Sequence, residues 1–151
     1  MASVHKSVLV PYGAEQMLEL VERIEDYPQF LPWCSGAAIL ERSAGETVAR
    51  LDIDYRGVRA HFTTTNRIER PERILIALRS GPFRRLDGTW LFTALGVSGS
   101  KVELALGYEF ATGVLERLIG PVFGHIARTF VDAFVQRAEA LHGALPDRTG
   151  R

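Results

Sequence analysis

Two hydrophobic periods meet in this chain, and their lengths decide what it can fold into. Between Gly36 and Phe110 apolar residues recur at every second position, with turn residues at short intervals. Leu51, Ile53 and Tyr55 share one face against Arg50, Asp52, Asp54 and Arg56, and Val102, Leu104, Leu106, Tyr108 and Phe110 oppose Lys101, Glu103 and Glu109. One apolar face and one wet face mark an antiparallel sheet covered on one side. After Phe110 the step changes to three and four: Leu115, Leu118, Ile119, Val122, Phe123, Ile126, Phe130, Phe134 and Leu141 make the stripe of a long amphipathic helix. Gly120-Pro121 is expected to break or kink it, leaving a longer portion from about 121 to 142, roughly 33 Å at 1.5 Å per residue. A strand such as 101–110 reaches about as far at ~3.3 Å per residue, so one helix can lie along the whole sheet.

Upstream, Val4 to Val10 alternates as a strand that ends at Pro11, and Gly13 caps a helix whose buried stripe is Met17, Leu20, Val21 and Ile24. Ser43-Ala44-Gly45 separates strands near 36–42 and 47–56, Arg56-Gly57 returns the chain into 58–69, and Pro71-Glu72, Gly81-Pro82 and Val97-Ser98-Gly99-Ser100 supply the remaining turns. The expected fold is α+β: a curved antiparallel sheet of about seven strands wrapped around a C-terminal helix, with two short helices after strand one. Its 151 residues suit one domain, 1–143, followed by a short polar tail, 144–151, expected to be disordered.

One segment does not fit the loop that pattern alone would assign. Glu25-Asp26-Tyr27-Pro28-Gln29-Phe30-Leu31-Pro32-Trp33-Cys34 carries three aromatics and two prolines, and each proline biases its predecessor away from the helical basin, so one tight turn is expected. Phe30 and Trp33 would then point to the same side. A rigid turn this apolar either plugs a core or roofs a cavity. A strongly twisted sheet gripping one helix leaves a gap that such a turn can close. The candidate lining is Tyr27, Phe30, Leu31 and Trp33 from the turn, Tyr55, Phe62, Asn66, Trp90, Phe92, Tyr108 and Phe110 from the sheet, and Phe123, Ile126, Phe130 and Phe134 from the helix.

The chemistry of known catalytic motifs is missing. His5, His61, His125 and His142 stand in no metal-ligand spacing, so no metal site is expected. Asp52 and Asp54 share a wet strand face with Arg50 and Arg56, which reads as a solvated charge ladder rather than a catalytic dyad. The serines lack the Gly-x-Ser-x-Gly setting, and no phosphate-cradling glycine loop appears. The single cysteine, Cys34, excludes an intrachain disulfide and reads as a small apolar group. No apolar run of ~18 residues and no signal peptide is present, so a cytoplasmic location is expected. The formal net charge of +0 conceals an asymmetry: residues 1–49 hold three basic and seven acidic side chains, residues 50–90 nine basic and five acidic. The middle is therefore a candidate basic face, whereas DNA binding is not expected.

The aromatic turn, followed by Phe62-Thr63-Thr64-Thr65-Asn66, Gly81-Pro82-Phe83-Arg84-Arg85-Leu86-Asp87-Gly88-Thr89-Trp90-Leu91-Phe92 and Tyr108-Glu109-Phe110, resembles the coenzyme Q-binding branch of the START-like polyketide cyclase superfamily. Within it the chain is most similar to bacterial RatA-type ribosome association toxins, including Val10-Pro11-Tyr12 and Ala14-Glu15-Gln16-Met17. The resemblance implies a helix-grip fold around an apolar tunnel, with two functional expectations. In the leading one, ubiquinone or a similar isoprenoid lipid enters between sheet and helix in support of respiration, its head oriented by Tyr27, Asn66 or Tyr108, with no cofactor required and with possible peripheral contact at the inner membrane. In the alternative, the protein binds the large ribosomal subunit and blocks subunit association, with Arg79, Arg84 and Arg85 beside Gly81-Pro82-Phe83 as contacts. The superfamily's cyclase activity is a third reading, not favoured because the expected cavity shows no polar cluster to activate a polyketide.

Overall fold

Seven strands run in the order β1-β7-β6-β5-β4-β3-β2, every neighbouring pair antiparallel, in the computed structural model, which describes residues 2–143. The elements are β1 Ala2–Val10, α1 Ala14–Glu22, a 3-10 helix Ile24–Gln29, β2 Cys34–Arg42, β3 Glu46–Tyr55, β4 Val58–Glu69, β5 Arg73–Ser80, β6 Phe83–Leu95, β7 Gly99–Phe110 and α2 Gly113–His142. The expected sheet, the two short helices and the long C-terminal helix are all present. The expectation for 144–151 lies outside the described residues.

β2 to β7 form a meander closed by β1, which pairs with β7 along its whole length, from Ala2 opposite Tyr108 to Val10 opposite Ser100. The β3–β4 hairpin turns on two residues with left-handed backbone, Arg56 at φ 51° and Gly57 at φ 81°, the twist that matches a two-residue hairpin. Gly81, at φ 148°, brings the β5–β6 turn so close to β4 that a Cβ there would stand 2.6 Å from Phe62 Cβ. Only glycine fits this approach. Register shifts at Cys34/Gly36, Ile39/Glu41, Thr63/Thr64 and Phe83/Arg85 add the local twist that curves the sheet.

The curved inner face receives α2. Ile119, Val122, Phe123, Ile126, Ala127, Val131, Phe134 and Ala138 are its buried stripe, and Thr112 Oγ1 caps the helix by accepting from Leu115 N at 3.1 Å. Two expectations fail here. Leu118 and Leu141 are exposed, being turned away from the buried stripe that runs through Ile119 and Ala138. Of the break or kink expected at Gly120-Pro121, the break does not occur: α2 is helical from Gly113 to His142. Pro121 sits on the exposed flank, so the carbonyl that loses its intrahelical donor faces water.

At its far end α2 is tied to the β1–α1 connection: Tyr12 donates its hydroxyl to the Gly143 carbonyl at 3.1 Å, and Ser100 donates to the Tyr12 carbonyl at 2.8 Å. The aromatic segment is the 3-10 helix plus a second turn, with Leu31 N bonded to the Tyr27 carbonyl and Cys34 N to the Leu31 carbonyl. Phe30 and Trp33 both meet α2, at Phe134 and Phe130 respectively. Burial pushes the Cys34 thiol up to about 11.

Candidate functional site

Period two on β4 sends Phe62, Thr64, Asn66 and Ile68 toward α2, and β3 contributes Thr47, Ala49 and Leu51 beside them. Ile74 and Ile76 of β5, Leu86 and Trp90 of β6 and Leu106 of β7 extend the same face. Opposite stand Phe123, Ile126, Ala127 and Phe130 of α2, while Val21, Glu22, Ile24, Tyr27 and Trp33 close one side. These residues enclose a cavity of about 70 Å³ between sheet and helix. Gly88 helps to shape it: a Cβ there would meet Leu106 Cδ1 at 2.9 Å and the Ala105 carbonyl at 3.1 Å.

Two aromatic clusters bracket this space. Phe62, Phe83, Tyr108, Phe110 and Phe123 pack with ring centroids 4.8–6.3 Å apart. On the other side Tyr27 meets Phe134 at 5.3 Å, Trp33 meets Phe130 at 6.1 Å, and Trp90 meets Phe130 at 5.7 Å and Phe134 at 5.4 Å. Of the residues expected in the lining, the structure places Tyr27, Trp33, Phe62, Asn66, Trp90, Phe123, Ile126 and Phe130 on it.

The other seven lie outside. Phe92 is two residues beyond Trp90 on β6, past one end of the cavity; on the antiparallel β7, Tyr108 lies opposite the lining residue Leu86 and Phe110 opposite Phe83, toward the other end, where they pack into the aromatic cluster instead of the lining. Leu31 and Phe134 are buried behind the wall. Phe30 sits at the rim, its ring under the Arg137 guanidinium at 5.1 Å. Tyr55 stacks on His125 at 5.7 Å and carries the Arg56 guanidinium over its ring at 4.9 Å.

The lining also carries a small neutral polar patch, of which the sequence reading named only Asn66. Thr47, Thr64 and Asn66 are all buried on the cavity wall. They are neutral, so they can hydrogen-bond a guest but do not titrate near neutral pH. Thr47 and Thr64 escaped sequence reading although a signal existed, since Thr64 stands midway between Phe62 and Asn66 in the period-two pattern. Of the other polar candidates, Tyr27 donates its hydroxyl to the Val21 carbonyl at 2.6 Å, and full burial holds its phenol far above the usual range. The Tyr108 phenol, off the lining, is also raised by burial, against the opposing pull of Arg128.

Glu22 is the one carboxylate on the lining, and with its side chain 28% exposed it is a point at which the cavity wall meets solvent, the candidate mouth. Arg70, just past β4, pairs with it at 2.7 Å and with Glu15 at 3.4 Å, so a strap of charge joins α1 to the β4–β5 turn. The candidate ribosome contacts are exposed but engaged: Arg84 pairs with Glu109 at 3.0 Å, Arg85 with Asp87 at 3.5 Å, and Arg79 reaches Thr65 Oγ1 at 3.5 Å. Of the charge ladder expected on that wet face, Arg50 pairs with Asp52 at 2.8 Å, but Asp54 pairs with Arg59 at 3.4 Å instead of Arg56, which lies over the Tyr55 ring.

A seven-stranded sheet gripping one helix around an apolar space defines a class, and the chain belongs to the polyketide cyclase / dehydrase and lipid transport family, matched over residues 10–135. Within it, the chain is 40% identical over 144 residues to the ribosome association toxin RatA of Escherichia coli K12, covering 95% of this chain and 91% of RatA. It is 23% identical to the mitochondrial coenzyme Q-binding protein COQ10 homolog B of Xenopus laevis over 91% of this chain and 58% of that protein. Its fold matches the Zhui aromatase/cyclase of Streptomyces sp. R1128 with a TM-score of 0.80, at 20% identity over 95% of this chain and 99% of the other.

Proposed function

We propose that this protein binds an apolar, prenyl-type lipid, with ubiquinone as the fitting candidate, between the sheet and α2, and that it does so without catalysing a reaction. The observation that carries this reading is the cavity itself: an apolar space bounded by two tryptophans and closed at one side by the aromatic turn. Burying a prenyl tail there gains about 25 cal/mol per Å² before entropic costs. The name of the Xenopus relative, a coenzyme Q-binding protein, points the same way. A binding role without catalysis is supported by the lining: Tyr27 is committed to Val21, and Glu22 is held by Arg70 at the mouth.

The space of about 70 Å³ is well below the ~300–1,000 Å³ of a typical small-molecule site, so a guest has to widen the grip. The aromatic turn and the Arg70 strap are the parts that separate most easily, being joined to α2 and α1 by side chains rather than by sheet hydrogen bonds. Titration with ubiquinone tests the reading. Quenching of Trp33 and Trp90 together with a rise in melting temperature is the expected result, and absence of both overturns it.

A second reading, association with ribosomes, is favoured by the 40% identity to RatA over nearly the whole of both chains. Sedimentation with ribosomal subunits tests it. Binding through arginines falls steeply with salt, and failure to co-sediment at low salt excludes it.

A further inference from the structure

Thr47, Thr64 and Asn66 are 2%, 6% and 7% exposed, and all three face the cavity. Register makes them one patch: Thr47 is directly opposite Asn66 across β3 and β4, and Thr64 is two residues from Asn66 on the same face. One hydrogen bond joins them, Asn66 Nδ2 to Thr64 Oγ1 at 3.1 Å. Among the described residues their side chains make no other. With Nδ2 toward Thr64, the amide carbonyl, the Thr47 hydroxyl and the Thr64 proton lack a protein partner among the described residues; with the amide turned, Thr64 donates to its carbonyl, and the amide NH2 and the Thr47 hydroxyl are left without one. Buried polar groups are ordinarily satisfied. Here all three residues belong to the lining of one cavity, so the surplus donors and acceptors lie at the wall of the space a guest would occupy.

We propose that this patch recognises a neutral carbonyl or hydroxyl oxygen on an otherwise apolar guest, and so sets which lipids the protein accepts; the inference rests on the lipid-binding reading above. The patch offers an amide N–H and two hydroxyl protons to a carbonyl oxygen. The Asn66 carbonyl and the Thr47 oxygen can accept from a hydroxyl in turn. No lysine or arginine lies on the lining, so a carboxylate head would be buried without a counter-charge and is disfavoured. A quinone, with ring oxygens on a hydrocarbon body, meets these requirements, and a plain hydrocarbon does not.

Affinities of hexyl-1,4-benzoquinone and hexylbenzene for the wild type and for a Thr47→Val/Thr64→Val/Asn66→Leu variant test the proposal by calorimetry. Comparing the ratio of the two affinities between proteins cancels the compounds' different solubilities. Loss of one or two hydrogen bonds should lower the ratio by about tenfold in the variant, with hexylbenzene bound as before. An unchanged ratio overturns this proposal and leaves the lipid-binding reading standing. Failure of both compounds to bind the wild type overturns that reading and this one with it. Should the triple variant not fold, the shape-conserving Thr47→Val/Thr64→Val pair carries the same comparison.

Discussion

Where β6 and β7 face the N-terminal half of α2, Phe83, Tyr108, Phe110 and Phe123 fill the space between sheet and helix ring against ring. A few residues away, where β3 and β4 face the same helix, the opposed side chains are Thr47, Ala49, Thr64, Asn66 and Ala127, and a cavity remains. The sheet is continuous through both regions, and so is α2. What differs is side-chain volume. In a helix-grip fold the large aromatics make the walls, and the small residues between them make the room.

Breaking one of the filled aromatic clusters should cost most. Phe134 is fully buried, with Tyr27, Phe30, Trp90 and Phe130 within 5.4 Å between ring centroids, and Phe134→Ala should lower stability by about 3–5 kcal/mol in chemical denaturation. The same insertion made on both sides sharpens the contrast. Ala138→Leu, at a fully buried position off the cavity, should cost about 1–3 kcal/mol by overpacking. Ala127→Leu places its added carbons in the cavity, so stability should change by less than about 1 kcal/mol while ubiquinone binding is lost. Equal costs at the two alanines would remove the distinction.

Smaller effects belong to the mouth and the surface. Arg70→Ala releases the strap to Glu22 and Glu15; stability should fall by less than about 1 kcal/mol, and quinone dissociation, followed by tryptophan fluorescence in stopped flow, should accelerate. An unchanged rate would place the mouth elsewhere. Replacing Arg84 and Arg85 together should leave stability within about 1 kcal/mol and quinone affinity unaltered, since both lie on exposed pairs away from the cavity. Co-sedimentation with ribosomes is the readout by which that variant separates the two functional readings.

The frame of this molecule was legible because periodicity encodes it. The bounds of β4, the turn at Arg56-Gly57, the β5–β6 turn at Gly81-Pro82 and the stripe of α2 all follow from local pattern and turn chemistry. Pro121 misled because proline's cost depends on which side of the helix meets water, and the sequence around it does not mark the exposed flank. The site was half legible. Aromatic residues advertise burial, so Trp33, Phe62, Trp90 and Phe130 stood out, but the same signal drew in Phe92, Tyr108 and Phe110, which plug the core beyond the cavity. Thr47, Ala49 and Ala127 escaped because an unfilled volume is a property of facing pairs across a sheet and a helix, and no single residue announces it.

The central claim, that small residues between the two aromatic clusters keep a lipid site, is tested most directly by mass spectrometry of lipid extracted from protein purified out of its own host, wild type beside Ala127→Leu. The account predicts an apolar lipid with a neutral oxygenated head on the wild type, and none on the variant. No lipid on either protein, or the same lipid in equal amount on both, would contradict it.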